Sequence, residues 1–200
     1  MPQHMDKEPL INFIQQNIPN IVADPDAIRI IADSFEPRVY KRKEFFLKEG
    51  KAGGYLFLAE GFMRAFTFDM EGNEVTTFFY PSKRVVFEVS SFFLHKPSNE
   101  NIQAVTDCTG YITSIEKLNT LFHSVPEFRE FGRLMLIREF VAYKQRTLAM
   151  INKSAEERYR ELISTHKEIF QFASLKQIAS YLGVTNTSLS RIRREFLDKA

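Results

Sequence analysis

The chain has 200 residues, 44% hydrophobic and 26% charged, enough to bury one or two cores and too apolar for disorder. A net charge of +2 excludes a whole-chain polyelectrolyte binder, and the single Cys108 excludes an internal disulfide, a cysteine-ligated zinc site and an iron–sulfur cluster. No apolar run approaches membrane-spanning length, and Asp6 and Glu8 stand where a leader would carry its apolar core, so a cytoplasmic protein with no membrane partner is expected.

Residues 7 to 34 place Leu10, Phe13, Ile14, Ile18, Ile21, Val22, Ile28 and Ile31 in short helical groupings, broken at Pro19 and Pro25. From Arg38 the pattern changes to short runs rich in Phe, Val and Thr: VYKRKEFFLKEG, YLFLAEG, FMRAFTFDMEGNE, VTTFFYP, KRVVFEV and NIQAVTDCTGYITSI. Such runs predict an antiparallel sandwich or barrel-like roll, with hairpin turns at Glu60-Gly61 and Glu71-Gly72-Asn73. Alternation is clearest where Phe62, Arg64, Phe66 and Phe68 interleave with Met63, Ala65 and Thr67, although both sets carry apolar groups. Twenty Phe and seven Tyr with no Trp predict cores filled by benzene rings.

After Leu118 the period is helical again, and Pro126 suits a first helical turn. No further proline intervenes before Ile151 and the only glycine is Gly132, so the segment predicts one helix of about 39 Å. Leu134, Ile137, Val141, Lys144, Leu148 and Ile151 recur at alternating steps of three and four, the pattern of a coiled-coil seam with Lys144 out of character. Phe128, Met135, Ala142 and Ala149 form a second stripe. One stripe is expected to cover the chain's own β-domain and the other a second copy; a wide-faced helix buried inside a monomer gives the same pattern. Ser154 and Glu157 then read as a capping box that ends the long helix at a hinge. Residues 155 to 173 supply a supporting helix and a connector.

In residues 174 to 196, Leu175, Ile178, Ala179 and Leu182 make one buried helical stripe behind an N-cap at Ser174. Gly183 ends that helix, Val184 is an apolar plug, and Thr185 caps a second helix whose inward residues are Leu189, Ile192 and Phe196. Small Ala179 lets the two helices approach. The outward face of the second carries Asn186, Thr187, Ser190, Arg191 and Arg194, side chains of the kinds that read base edges and grip phosphates. From residue 174 onward five cations (Lys176, Arg191, Arg193, Arg194 and Lys199) face two anions (Glu195 and Asp198), a local +3 that draws a polyanion to this end. Two packed surface helices with a solvated polar face share this spacing.

An enzyme is not expected. Metal-dependent chemistry in a β-roll needs several histidines and a carboxylate on neighbouring strands, whereas His4 and His166 lie away from the roll and His95 and His123 are far apart in sequence. No Ser-His-Asp spacing or phosphate-binding glycine loop is present, so no catalytic residue, metal ligand or cofactor is assigned.

The order and lengths of these parts, with the stretches KRKEFFLKEG, YLFLAEGFMRAF, SFFLHKPSNENIQAVTDC, SAEERY and QIASYLGVTNTSLSRIRR, resemble the Crp/Fnr family of transcription regulators over nearly the full length. The resemblance implies an α+β protein. Residues 1–125 form an N-terminal antiparallel β-roll (a double-stranded β-helix) of the cyclic-nucleotide-binding type, 126–153 a dimerisation helix, and 154–200 an all-α helix-turn-helix domain. It further implies a homodimer on double-stranded DNA, with RNA polymerase as a partner. By position, Asn186, Thr187 and Arg191 fall where the family faces bases, and Ser188 where it grips a phosphate; with Thr185 and Arg194 they complete the expected DNA-binding set. Family members often carry Arg or Pro followed by Glu at 186 and 187, so a different operator is expected. The family's C-terminal wing is not expected in the residues before Ala200.

Where nucleotide-binding members hold the cyclic phosphate and ribose with a Gly-Glu pair and an Arg followed by Ser or Thr, this chain aligns Phe87-Glu88 and Ser98-Asn99. These four are the ligand-pocket candidates. Glu88 matches and the cation does not, so cyclic AMP is not expected as effector, and an unidentified small molecule stays open. A ligand or protein-interaction module with a degenerate DNA-binding motif is the alternative.

Overall fold

The computed structural model describes residues 6–18 and 20–197, so His4, the break at Pro19 and the charges of Asp198 and Lys199 lie outside the described residues. Helices α1 (Glu8–Asn17) and α2 (Pro25–Asp33) open it, joined by a single 3-10 turn at Ile21–Ala23. Pro25 stands at the start of α2, where its missing N–H costs nothing, and the Asp24 carboxylate accepts the Ala27 N–H at 3.0 Å. Leu10, Ile14, Ile28 and Ile31 are buried in the core these helices share with the roll.

Eight strands follow among the described residues: β1 (Glu36–Tyr40), β2 (Phe45–Leu47), β3 (Tyr55–Glu60), β4 (Phe62–Phe68), β5 (Glu74–Pro81), β6 (Arg84–Val86), β7 (Asn101–Ala104) and β8 (Cys108–Thr113). They pair antiparallel in two four-stranded sheets, β1-β8-β3-β6 and β2-β7-β4-β5. Leu47, Leu56, Leu58, Met63, Ala65 and Ile102 fill the space between, and Cys108 is a small buried member of that layer. This is the β-roll expected from the strand spacing.

Two local expectations change. Glu71-Gly72-Asn73 does turn a hairpin between β4 and β5, with Asp69 accepting the N–H groups of Glu71 and Asn73. Glu60-Gly61 does not, because β3 and β4 belong to different sheets. Gly61 instead turns a corner from one sheet to the other. It has φ +101, and a Cβ there would stand 2.6 Å from the Asp107 carbonyl oxygen, so only glycine fits. The second change follows β6, which stops at Val86. The Glu88 carboxylate accepts the N–H groups of Ser90 and Ser91 at 3.0 and 2.6 Å and starts a short helix, α3 (Val89–Leu94), so the run KRVVFEV, read as strand through Val89, leaves the sheet three residues early.

Helix α4 (Ile115–Ser124), capped by Ser114, leads into α5, one unbroken helix over Pro126–Asn152. Phe128 and Phe131 are buried and Met135 half-buried against the roll and the N-terminal helices. On another side of α5, Ile137, Phe140, Val141, Leu148 and Ile151 are exposed. At Ser154 the capping box forms in both directions: the Ser154 N–H donates to Glu157 Oε2 at 2.7 Å and the Glu157 N–H to Ser154 Oγ at 3.3 Å. The Ser154 N–H, with the Ser154 hydroxyl donating to the same Oε2 at 2.8 Å, holds the Glu157 carboxyl below its ordinary pKa. Helices α6 (Ala155–Thr165), α7 (Ile169–Phe172), α8 (Leu175–Leu182) and α9 (Asn186–Leu197) complete the described chain, around a core of Tyr159, Leu162, Ile178, Leu182, Leu189 and Ile192. That core also takes in Phe62 and Phe79 from the roll.

Candidate nucleic-acid interface

Local chemistry fixes how α9 is presented. Ser174 and Gln177 form a second capping box, with Ser174 N–H to Gln177 Oε1 at 2.8 Å and Gln177 N–H to Ser174 Oγ at 3.3 Å. Gly183 then takes the left-handed conformation, φ 67, and the Val184 N–H donates to the Ala179 carbonyl at 3.0 Å, closing α8. Thr185 Oγ1 accepts the Ser188 N–H at 3.1 Å and opens α9 two residues after the glycine. Ala179, Leu189 and Ile192 are buried where the helices meet.

With that face inward, Thr185, Asn186, Thr187, Ser190, Arg191 and Arg194 are exposed along α9, and Ser188 is half-buried. The Thr185 hydroxyl donates to Ser188 Oγ at 2.9 Å and the Ser190 hydroxyl to the Asn186 carbonyl at 3.0 Å, which orders the first turn. Arg191 meets Glu195 only at 3.9 Å, with three quarters of its side chain in water, a pairing too weak to withhold the guanidinium from an anion. The residues assigned to DNA from the sequence thus lie together on one open helical face.

The opposite side of this unit rests on the outer face of β4 and β5. The Thr76 N–H donates to Ser180 Oγ at 3.1 Å, and the Ser180 hydroxyl donates to Thr76 Oγ1 at 3.0 Å. Arg64, 3% exposed, pairs with Glu74, donates to Thr76 Oγ1 at 3.4 Å and lies 4.2 Å from the Phe66 ring centroid. Arg146 of α5 donates to the carbonyls of Thr77 and Tyr181 and stacks 4.1 Å over the Tyr181 ring. Phe79 packs on Tyr181 and Phe62 on Phe172, with ring centroids 5.1 and 5.4 Å apart. Sequence reasoning missed Ser180, Arg146 and their partners. Its one usable sign was the apolar outer set of β4, since an outer face lined with Phe needs a cover.

The four ligand-pocket candidates lie at one end of the roll. The Gly53 N–H donates to Ser91 Oγ at 2.7 Å, and the Gly50 N–H to the Ser98 carbonyl at 2.8 Å, so one loop ties both segments together. Three of the four side chains are committed elsewhere. Phe87 is buried among Tyr55, Phe92 and Phe93, Glu88 caps α3, and Ser98 is buried with its hydroxyl donating to the Glu100 carbonyl at 2.8 Å. Asn99 is exposed, and its carbonyl accepts from Thr67 Oγ1 at 3.2 Å. Lys96, the nearest cation in sequence, is exposed. Burial raises the pKa of the Glu100 carboxyl and of Tyr80, and pushes Tyr143 up to about 12 with help from the Glu100 charge. Among the described residues no group of three or more His, Cys, Asp or Glu is placed to hold a metal, and no helix is long and apolar enough to cross a membrane.

No family model and no curated protein matches the sequence. Solved structures do match the fold. The c-di-GMP responsive global regulator CLP of Xanthomonas campestris superposes with a TM-score of 0.69 at 15% identity, over 88% of this chain and 93% of that one. FixK2 of Bradyrhizobium japonicum gives 0.69 at 18% identity, over 82% and 85%. A protein of Eubacterium rectale assigned to the crp/fnr family of transcriptional regulators gives 0.68 at 16% identity, over 92% and 88%. The β-roll, the long helix and the helical unit behind it together have the fold of the Crp/Fnr transcription regulators.

Proposed function

We propose that the chain is a Crp/Fnr-type regulator that binds double-stranded DNA sequence-specifically as a homodimer in the cytoplasm, is not an enzyme, and does not respond to cyclic AMP. The observation that carries this reading is the face of α9. A helix propped outward by a glycine turn, with Asn186, Thr187 and Arg191 exposed on one side, offers the donors and acceptors that major-groove recognition needs. Ser188, next to the cap Thr185, and Arg194 are assigned to phosphates. Residues 1–125 serve as sensor, 126–153 as dimerisation helix and 154–200 as reading head, with RNA polymerase the partner at the promoter.

A dimer is supported by the row of exposed apolar side chains on α5, which water disfavours and a two-fold partner would cover. The operator is then a near-palindrome with half-sites about one helical turn apart. The ligand cassette supports indifference to cyclic AMP: a cyclic phosphodiester stays anionic, and taking it into the roll without a cation costs several kcal/mol. Arginine is missing at Ser98, Glu88 is spent on a helix cap, and Phe87 fills the space a glycine would leave.

Selection of duplexes from a random pool, followed by titration of the Arg191→Ala variant, tests the reading. The variant is expected to lose about 1 to 3 kcal/mol on the selected site and to relax base choice at one position per half-site. Equal binding of all duplexes by wild type and variant would leave the fold as an interaction module with a degenerate motif.

A further inference from the structure

A cavity outside the β-roll lies between the end of β5, the C-terminal half of α5 and helices α6 to α8, with a volume of about 700 Å³. That is within the range of small-molecule sites, which are mostly apolar with a few converging polar groups. Phe78, Phe79, Ala149, Met150, Leu162 and Ile169 give it apolar walls.

Its charged groups do not balance. At the rim, Glu161 pairs with Lys153 at 2.7 Å, Glu168 approaches His166 at 3.7 Å, and Arg84 meets Glu139 at 3.7 Å. Two further guanidinium groups on the wall bond to neutral carbonyls. Arg158 donates to Leu182 O at 2.9 and 3.2 Å and to Lys153 O at 2.6 Å, and Arg146 donates to Thr77 O and Tyr181 O. Carbonyl partners fix the position of a guanidinium without cancelling its charge, and arginine does not deprotonate to relieve it. Glu100 also interacts with Arg146 but does not line the cavity. The result is an apolar space faced by two pre-positioned cations, each already held by the backbone.

We propose that this cavity is a binding site for an amphipathic organic anion, an aromatic or aliphatic body carrying a carboxylate or sulfonate. The apolar body lies against Phe78, Met150 and Leu162, and the anionic group meets Arg146 and Arg158. The wall also includes the seam residue Leu148, so a second copy on α5 would border the cavity there, while Ala149 stands roughly 120° around the helix from the seam residue Ile137. The site does not depend on the DNA-binding reading, and its test involves no DNA.

The full-length protein is titrated with 8-anilinonaphthalene-1-sulfonate and, in parallel, with its uncharged counterpart N-phenyl-1-naphthylamine. The expected result is saturable fluorescence enhancement at one sulfonate per chain, with the neutral compound at least tenfold weaker. Ala149→Phe, which fills the cavity, is expected to weaken the sulfonate at least tenfold while leaving the circular dichroism melting curve in place. On the wild-type chain, irradiation with 4-azidobenzoate followed by peptide mapping is expected to label residues 78–84, 142–153 and 158–182. This locates the site even if the phenylalanine variant fails to fold. Equal binding of charged and neutral probes, full binding by a folded Ala149→Phe, or labelling confined to other peptides would each overturn the proposal.

Discussion

Replacing Ile137 by Glu tests whether the open face of α5 is a subunit seam. Ile137 is 46% exposed, so about half of its side-chain transfer free energy is still available to a partner. Full burial of an isoleucine is worth about 1.5 to 3 kcal/mol, which leaves about 1 kcal/mol per chain and about 2 kcal/mol per two-fold dimer, roughly a thirtyfold change in dissociation constant. The glutamate adds to this, because two symmetry-related carboxylates would be drawn together and desolvated. Glutamate is as good a helix former as isoleucine, so α5 itself should persist. The assay is sedimentation across a range of concentrations, read against a chain mass of 23.3 kDa. Wild type is expected at twice that mass, with the variant dissociating at least thirtyfold more readily. Lys144, exposed at a seam position, supplies the opposite sign: Lys144→Leu should tighten the dimer. Wild type sedimenting as a single chain at every concentration, or a dimer indifferent to both substitutions, would mean that this face of α5 is not a subunit seam.

Gly183→Ala should destabilise the chain by about 1 to 2 kcal/mol, read as a lower urea midpoint, because φ 67 is strained for alanine; the clash with Met150 Cε at 2.4 Å can relax through that flexible side chain. Glu100→Gln should raise the melting temperature at neutral pH. Burial lifts the Glu100 pKa in the folded state, so this group's contribution is fully present below the ordinary carboxylate value and is lost as pH rises through the folded value. The gap between wild type and variant is therefore expected to open with rising pH, and a constant gap in circular dichroism melts would contradict it. Titration calorimetry with cyclic AMP or cyclic GMP should show no saturable heat up to millimolar ligand; a micromolar dissociation constant for either would overturn the reading of Phe87 and Ser98.

The parts legible in the sequence are those whose determinants are close together along the chain. Helices α8 and α9 announce themselves through Ser174, Gly183 and Thr185, each acting on backbone groups within a few residues, and through a stripe of period 3.6. The capping box at Ser154 is legible for the same reason. Glu60-Gly61 misleads because a glycine turn between two strands looks alike whether the strands pair or part, and only the distant Asp107 and Cys108 decide. Glu88 misleads differently: its value as a helix cap outweighs the strand pattern before it. The cover on β4 is hardest to read, since Thr76 and Ser180 are 104 residues apart, and Thr77 and Arg146 are 69 apart. No spacing rule reaches that far, and the alternation of β4 looks imperfect because its outer Phe62 is as buried as its inner Met63.

That cover also fixes how the C-terminal helical unit is held. Lifting α8 from β5 would expose Phe62 and Phe79, break the Thr76–Ser180 pair, strip Arg146 of the Tyr181 carbonyl and open Arg64 to water. A net hydrogen bond is worth about 1 kcal/mol and each of the two ring contacts about 0.5 to 1.5 kcal/mol, before any area term. These contacts together amount to several kcal/mol, a preference that fixes the orientation of α9 without a ligand. An effector can move the head only by binding the lifted arrangement more tightly than the seated one by a similar amount. A molecule lodged in the cavity between α5 and helices α6 to α8 would do the reverse, since contacts with Arg146 and Arg158 could form only while the walls stay together, so occupancy there would deepen the seated arrangement.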